Sequence, residues 1–208
     1  MEKEIILENL DENIVNEATF YNQQNIPSQI SKALYLYGST TDYQVLGFVD
    51  ASDDVTKQVS DIEDLISKNI SVLIVNPVDS DAVSGAVQDA LDKGIKVISV
   101  DRVVNGVTVD CEIASDNVAG AELATQYIVD TLGEGVKVAE LQGTSGASAA
   151  IDRGTGFHNV ADEKLDVVAS QVADFDRTEG MTVMENMLQA NGDIQAVFSA
   201  NDEMALGA

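Results

Sequence analysis

From Tyr43 onward this chain alternates short β-type runs with amphipathic stretches at helical spacing, and that rhythm limits its fold more than any other feature. Strand, helix and strand in succession imply parallel pairing, because each helix carries the chain back across the sheet. Residues 43–49 read as the first strand and 50–54 as a polar loop. Val55, Val59, Ile62, Leu65 and Ile66 then share one helical face. Residues 71–75 read as a buried strand, ended by Asn76-Pro77. Ser80 is placed to cap a helix with the stripe Ala82, Val83, Ala86, Val87, Ala90 and Leu91, closed by Gly94. Residues 96–100 make the next strand.

The rhythm breaks once. Residues 103–113 offer an Asn105-Gly106 turn and a second alternating strand in place of a helix. In its run of Val107, Val109, Cys111 and Ile113, Cys111 is expected on the buried face as a small core residue. The alternation then resumes with a helix over 117–132 bearing Val118, Ala121, Leu123, Ala124, Tyr127 and Ile128. A strand at 136–142 leads into the small-residue loop 143–146, where small side chains let the next helix start close to the sheet. That helix runs to about residue 161, with a strand over 166–170 after it. A further helix over 178–191 is expected to turn Met181, Met184, Met187 and Leu188 inward, and 196–199 is the last strand before a helix start at Asn201-Asp202. The break at 103–115 reads as a crossover, so the residues favour a two-lobed α/β protein over a single sheet.

Charge narrows the function classes. The chain has 36 acidic residues against 11 basic ones, a net charge of −25, spread along its length. This excludes the basic footprint that nucleic-acid binding needs and disfavours adhesion to anionic membranes. A single cysteine permits no intrachain disulfide, no stretch is apolar enough to cross a bilayer, and the first residues lack the pattern of a secretion signal. No metal-ligand cluster, cofactor motif or nucleophile–base pair is evident, so no cofactor is expected and the chain does not read as an enzyme. His158, the sole histidine, reads as a helix-surface residue. The 143–146 loop lacks the lysine of a phosphate-binding loop.

Ligands of open parallel sheets bind beyond the carboxyl ends of the strands. Asp101-Arg102 follows one such end, Asn201 another, and Phe175 lies just after a third. The chain has three arginines, Arg102, Arg153 and Arg177, each directly after an aspartate, while lysine supplies the other basic residues. A guanidinium donates paired hydrogen bonds to neighbouring hydroxyl oxygens, and an aspartate accepts from them. Phe175 offers a flat apolar face for the C–H side of a ring, and Asn201 both donates and accepts. Together these suit a small neutral polyol. Arg177, at a helix start, reads as structural.

The segments NPVDSDAV (76–83), VISVDR (97–102), IASDNVAG (113–120) and VAELQGTSG (138–146) resemble bacterial ribose-binding proteins. So do SAAIDRGTGF (148–157), ASQVADFDR (169–177) and AVFSANDEMALGA (196–208). The resemblance runs from about Tyr43 to Ala208. It implies a type I periplasmic-binding-protein fold, with parallel sheets flanked by helices in two lobes that close on one sugar about a hinge, a family that is itself a standard illustration of hinge closure. It implies a first lobe at 42–113 and a second at 114–208, both partial, after a non-matching segment at 1–41, so the fold is expected to be incomplete at both termini. Sugar ligands would be Asp101 and Arg102 from the first lobe and Arg153, Phe175 and Asn201 from the second. The implied partners are ribose or a similar monosaccharide and an ABC permease in the membrane. The implied setting is the periplasm or, as a lipoprotein, the cell surface, with a monomer as the complete form. The resemblance implies further sugar ligands beyond residue 208, so this chain is expected to bind ribose weakly or not at all. A competing reading on the same fold is the sugar-sensing domain of a lactose-repressor-type regulator.

Overall fold

In the computed structural model the described residues are 18–20 and 47–208, and they divide into two compact units. One comprises Met1–Val100 with Val104–Ile113, the other Asp101–Val103 with Ala114–Ala208. Each has its own apolar core. Asp101–Val103, which the sequence assigns to the first lobe, therefore group with the second unit.

The first unit is built on a five-stranded sheet in the order β2-β1-β3-β4-β5. Its strands are β1 (Ala18–Phe20), β2 (Gly47–Phe48), β3 (Val72–Val75), β4 (Lys96–Val100) and β5 (Cys111–Ile113), every neighbouring pair parallel. β1 lies inside the segment 1–41 that the sequence left outside both lobes; the rest of that segment, and residues 43–46 of the expected first strand, fall outside the described residues. All four residues of β3 are buried, as a central parallel strand covered on both faces requires.

Helix α1 (Val55–Ser67) is capped by Asp54, whose side chain accepts from the Lys57 N–H at 2.9 Å. Ile62, Leu65 and Ile66 are buried as expected, but Val55 and Val59 are only partly so. The remaining buried position on α1 is Gln58. Its Nε2 donates to the Asn76 carbonyl at 2.9 Å and its Oε1 accepts from the Val78 N–H at 2.8 Å, so a buried amide fastens the exit of β3 to the helix. Helix α2 (Ser84–Asp92) starts three residues later than Ser80 would set it, and Ser80 does not cap it. Asp79 takes the N–H groups of Asp81 and Ala82 first, at 2.9 and 2.8 Å, making a turn ahead of the helix. The turn at Asn105-Gly106 is present, with Gly106 at φ +72°, but the strand after it runs parallel to β4. Cys111 is exposed, contrary to the expected core position. β5 ends the sheet, and Val107 and Val109, before the strand proper, make the partial core contacts instead.

The second unit has a three-stranded parallel sheet in the order β7-β6-β8, from β6 (Lys137–Gln142), β7 (Asp166–Val172) and β8 (Ala196–Ser199). Helices α3 (Asn117–Leu132), α4 (Ser148–Lys164), α5 (Arg177–Ala190) and α6 (Asp202–Gly207) alternate with these strands. The buried line of α3 is Ala121, Thr125 and Val129, whereas Leu123 and Tyr127 are exposed. α5 turns Gly180, Val183, Met184 and Met187 inward and leaves Met181 and Leu188 outside, so two of its four expected core residues sit on the wrong side. Asp176 caps α5 by accepting from the Thr178 and Glu179 N–H groups at 2.7 and 2.9 Å. Next to it Arg177 pairs with Glu203 of α6 at 2.9 Å on the surface, the structural role its position suggested.

Candidate functional site

The sequence-predicted site residues arrive from loops at the carboxyl ends of three strands and from the second turn of α4. After β4 the backbone enters the left-handed region at Asp101, φ +70°, and turns Arg102 into the protein until it is 1% exposed. The Val103 N–H donates to Ser148 Oγ at 2.9 Å, tying this loop to the first residue of α4. After β7 the chain is left-handed at Asp174 and Phe175, φ +49° and +60°. For a bulky residue such as Phe this is an outlier that local contacts must hold.

Two hydrogen bonds and a close glycine supply that support. Thr144 Oγ1 donates to the Asp174 carbonyl and Asn201 Nδ2 to the Phe175 carbonyl, each at 3.2 Å. Gly143 leaves room for the ring: a Cβ there would stand 2.7 Å from Phe175 Cε2 and closer still to Cζ and Cε1. The small residue at 143 thus serves the ring of Phe175 first.

The Phe175 ring lies 5.6 Å from the Arg102 guanidinium carbon and 5.8 Å from that of Arg153. Both are within cation–π range. Arg153 is oriented by two further bonds, Nε donating to Asn117 Oδ1 at 2.9 Å and Nη1 to the Ala200 carbonyl at 2.7 Å. Asn201 is the N-cap of α6, its Oδ1 accepting from the Met204 N–H at 2.9 Å. Its amide therefore spends one acceptor and one donor on structure and keeps one N–H.

The structure brings Arg102, Arg153, Phe175 and Asn201 into one linked group in the second unit, with Asp101 adjoining Arg102. A cavity of about 430 Å³ in the same unit is lined by Ser115, Asp116, Asn117, Arg153, Asn201 and Asp202, among others. That volume suits a small ligand. It reaches only Arg153 and Asn201 of the five expected residues.

His158 has partners the sequence did not suggest. Its Nδ1 is 2.7 Å from Asp162 and its Nε2 3.3 Å from Glu140, a carboxylate on β6 that is 1% exposed. Glu140 also accepts from Gln142 Nε2 at 3.0 Å and from Ser170 Oγ. Partial burial works against the charged imidazole, but the bond to Asp162 and the Glu140 charge outweigh it and raise the His158 pKa. Among the described residues no group of three or more His, Cys, Asp or Glu side chains is placed to hold a metal ion. None of the helices there is long and apolar enough to cross a membrane.

Residues 18–208 match the family described as a periplasmic binding protein domain, and the chain belongs to that family. The match begins well before Tyr43, inside the segment the motif resemblance left out. Over 160 residues, 77% of this chain and 52% of the relative, it is 57% identical to the ribose import binding protein RbsB of Bacillus subtilis (strain 168). The Escherichia coli (strain K12) protein of the same name is 49% identical over 161 residues, 77% of this chain and 54% of its own. This chain spans about half the length of these curated relatives. Among solved structures, an ABC transporter solute binding protein from Bacillus halodurans C-125 with bound myo-inositol superposes with a TM-score of 0.86 at 32% identity, covering 95% of this chain and 70% of that one. The type I periplasmic-binding-protein architecture, α/β with parallel sheets flanked by helices, is therefore the fold of this chain.

Proposed function

We propose that this chain is the sugar-gripping part of a substrate-binding protein of an ABC importer, and that Asp101, Arg102, Arg153, Phe175 and Asn201 contact a monosaccharide. One observation carries the reading: two guanidinium groups stand beside one phenylalanine ring, at 5.6 and 5.8 Å, in a chain with three arginines in all. A guanidinium has five N–H donors, and Arg153 uses two of them on Asn117 and Ala200. The remaining donors suit vicinal hydroxyls, while the ring suits the C–H face of a sugar. The relatives are import binding proteins for ribose, which supports a pentose ligand, an ABC permease as partner and a periplasmic or surface-anchored setting. Their names weigh against the sugar-sensing regulator.

The test is titration of the ¹⁵N-labelled chain with D-ribose and, separately, myo-inositol, following the arginine Nε–H signals. Saturable movement of the Arg102 and Arg153 signals, lost in Phe175→Ala, is the expected result. Signals that stay fixed through millimolar concentrations of both compounds overturn the proposal.

A further inference from the structure

We infer that Asn117 is a positioning residue for sugar recognition, acting through Arg153. This deepens the reading above and rests on it for the ligand, though its geometry stands alone. Asn117 is the first residue of α3 and is 8% exposed. Its backbone is fixed by the cap before it, where Asp116 Oδ1 accepts from the Ala119 N–H at 3.0 Å. Its Oδ1 accepts from Arg153 Nε at 2.9 Å.

The register between the two helices makes that bond possible. Gly156 lies one turn after Arg153 on α4, and Val118 directly follows Asn117 on α3. A Cβ at 156 would stand 2.8 Å from Ala121 Cβ and 3.0 Å from the Val118 carbonyl carbon, with the carbonyl oxygen nearer still. The backbone of α4 thus lies directly against the Val118 backbone and the Ala121 side chain of α3 at this point, which brings the two polar residues together one turn away. The Ala200 carbonyl holds the other end of the guanidinium. With Nε on α3 and Nη1 on the residue just after β8, the plane of Arg153 is set from two sides at once. A planar donor fork fixed at two points presents its remaining N–H groups in one direction. Asn117 also lines the 430 Å³ cavity that Arg153 and Asn201 reach.

The experiment uses the whole chain labelled with ¹⁵N. Three arginines give three Nε–H signals, assigned by replacing each arginine with lysine in turn. In Asn117→Ala the Arg153 signal is expected to shift and to exchange faster with water, while those of Arg102 and Arg177 hold and the backbone amide spectrum keeps its dispersion. Asn117→Asp keeps an acceptor at the same place and adds a carboxylate in the first turn of a helix, which the helix dipole favours. That variant restores the Arg153 signal. In D-ribose titrations Asn117→Ala binds about tenfold more weakly than wild type and Asn117→Asp recovers, the scale set by losing one hydrogen bond to a charged group. An Arg153 signal unchanged in Asn117→Ala overturns the positioning role, as does equal ribose affinity in that variant and wild type. If the Arg153 signal moves as expected while wild type gives no response to either compound, the positioning stands and the sugar reading of the site fails.

Discussion

Replacing Gly156 with alanine sets two effects of opposite sign against each other, and the structure says which wins. Gly156 is buried in the middle of α4, where glycine costs a helix about 0.5–1 kcal/mol relative to alanine. Propensity alone therefore makes the substitution stabilising. The new Cβ, however, would stand 2.8 Å from Ala121 Cβ and 3.0 Å from the Val118 carbonyl carbon, whereas carbon–carbon contacts are optimal near ~3.5–4.0 Å. Val118 contributes backbone, which cannot rotate away, so α3 must move off by about 1 Å or the second unit's core must distort; overpacking of this kind costs roughly 1–3 kcal/mol. The net loss is about 1–2 kcal/mol. For a unit of this size each kcal/mol lowers the midpoint by ~4–8 °C, so a fall of several degrees is expected in calorimetry. The Arg153 Nε–H signal should shift in the same variant, because the same movement draws Asn117 away. A midpoint equal to or above that of wild type would show that the helices are free to slide, and would refute the close-contact reasoning.

Three further outcomes follow from the structure. Gly143→Ala pushes the Phe175 ring off its seat and should weaken D-ribose binding by roughly tenfold, the scale of losing ring–guanidinium contacts; unchanged affinity would show that the ring's position does not matter. The His158 pKa is raised in the folded state, so its pairing with Asp162 and Glu140 stabilises the protein fully below the ordinary value of 6.5 and ceases to do so as pH climbs through the raised value. The midpoint gap between wild type and His158→Gln should accordingly be wider near ~pH 6 than near ~pH 8.5, and a constant gap would contradict the assignment. Cys111 should react completely with a thiol reagent in native buffer, since it is exposed on an edge strand; protection until denaturant is added would return it to the core.

The parts of the fold written in periodicity were legible, and those written in packing between elements were not. β4 and β8 fall where the apolar runs place them, and α3 spans its predicted residues. Periodicity failed on facing. Leu123 and Tyr127 carry the helical pattern of α3, yet the buried line runs through Ala121 and Thr125, because close approach to α4 selects small side chains. Gln58 was invisible for a related reason: a polar residue with both amide ends satisfied is as much a core residue as the isoleucines beside it. At the site, the scarcity of arginine drew notice to Arg102 and Arg153, and the strand ends to Asp101, Phe175 and Asn201. Asn117 and Gly143 carry no such signal, since their roles exist only once α3 lies on α4 and the β7 loop on the β6 loop. The one clue to Gly143 was its place in a run of small residues, which equally well suited a close helix start.

The left-handed backbone at this site is informative because of where it falls. Six described non-glycine residues have positive φ, and three of them are Asp101, Asp174 and Phe175. The other three, Ser52, Asp53 and Asn69, sit in the turns flanking α1, where short polar residues adopt this conformation at small cost. Phe175 has no such excuse, and a bulky residue held there costs about 1–3 kcal/mol. The cost is met locally: the hydroxyl of Thr144 and the amide of Asn201 hold the two carbonyls, and the absent side chain of Gly143 receives the ring. Strain sustained by three separate loops fixes the ring in one place, within cation–π range of both guanidiniums. The same Asn201 starts α6, so ring position, guanidinium position and the onset of a helix form one connected set of bonds. Loops would ordinarily be poor carriers of a precise constellation. Here the strain and its three restraints give them the rigidity that a strand or helix supplies elsewhere.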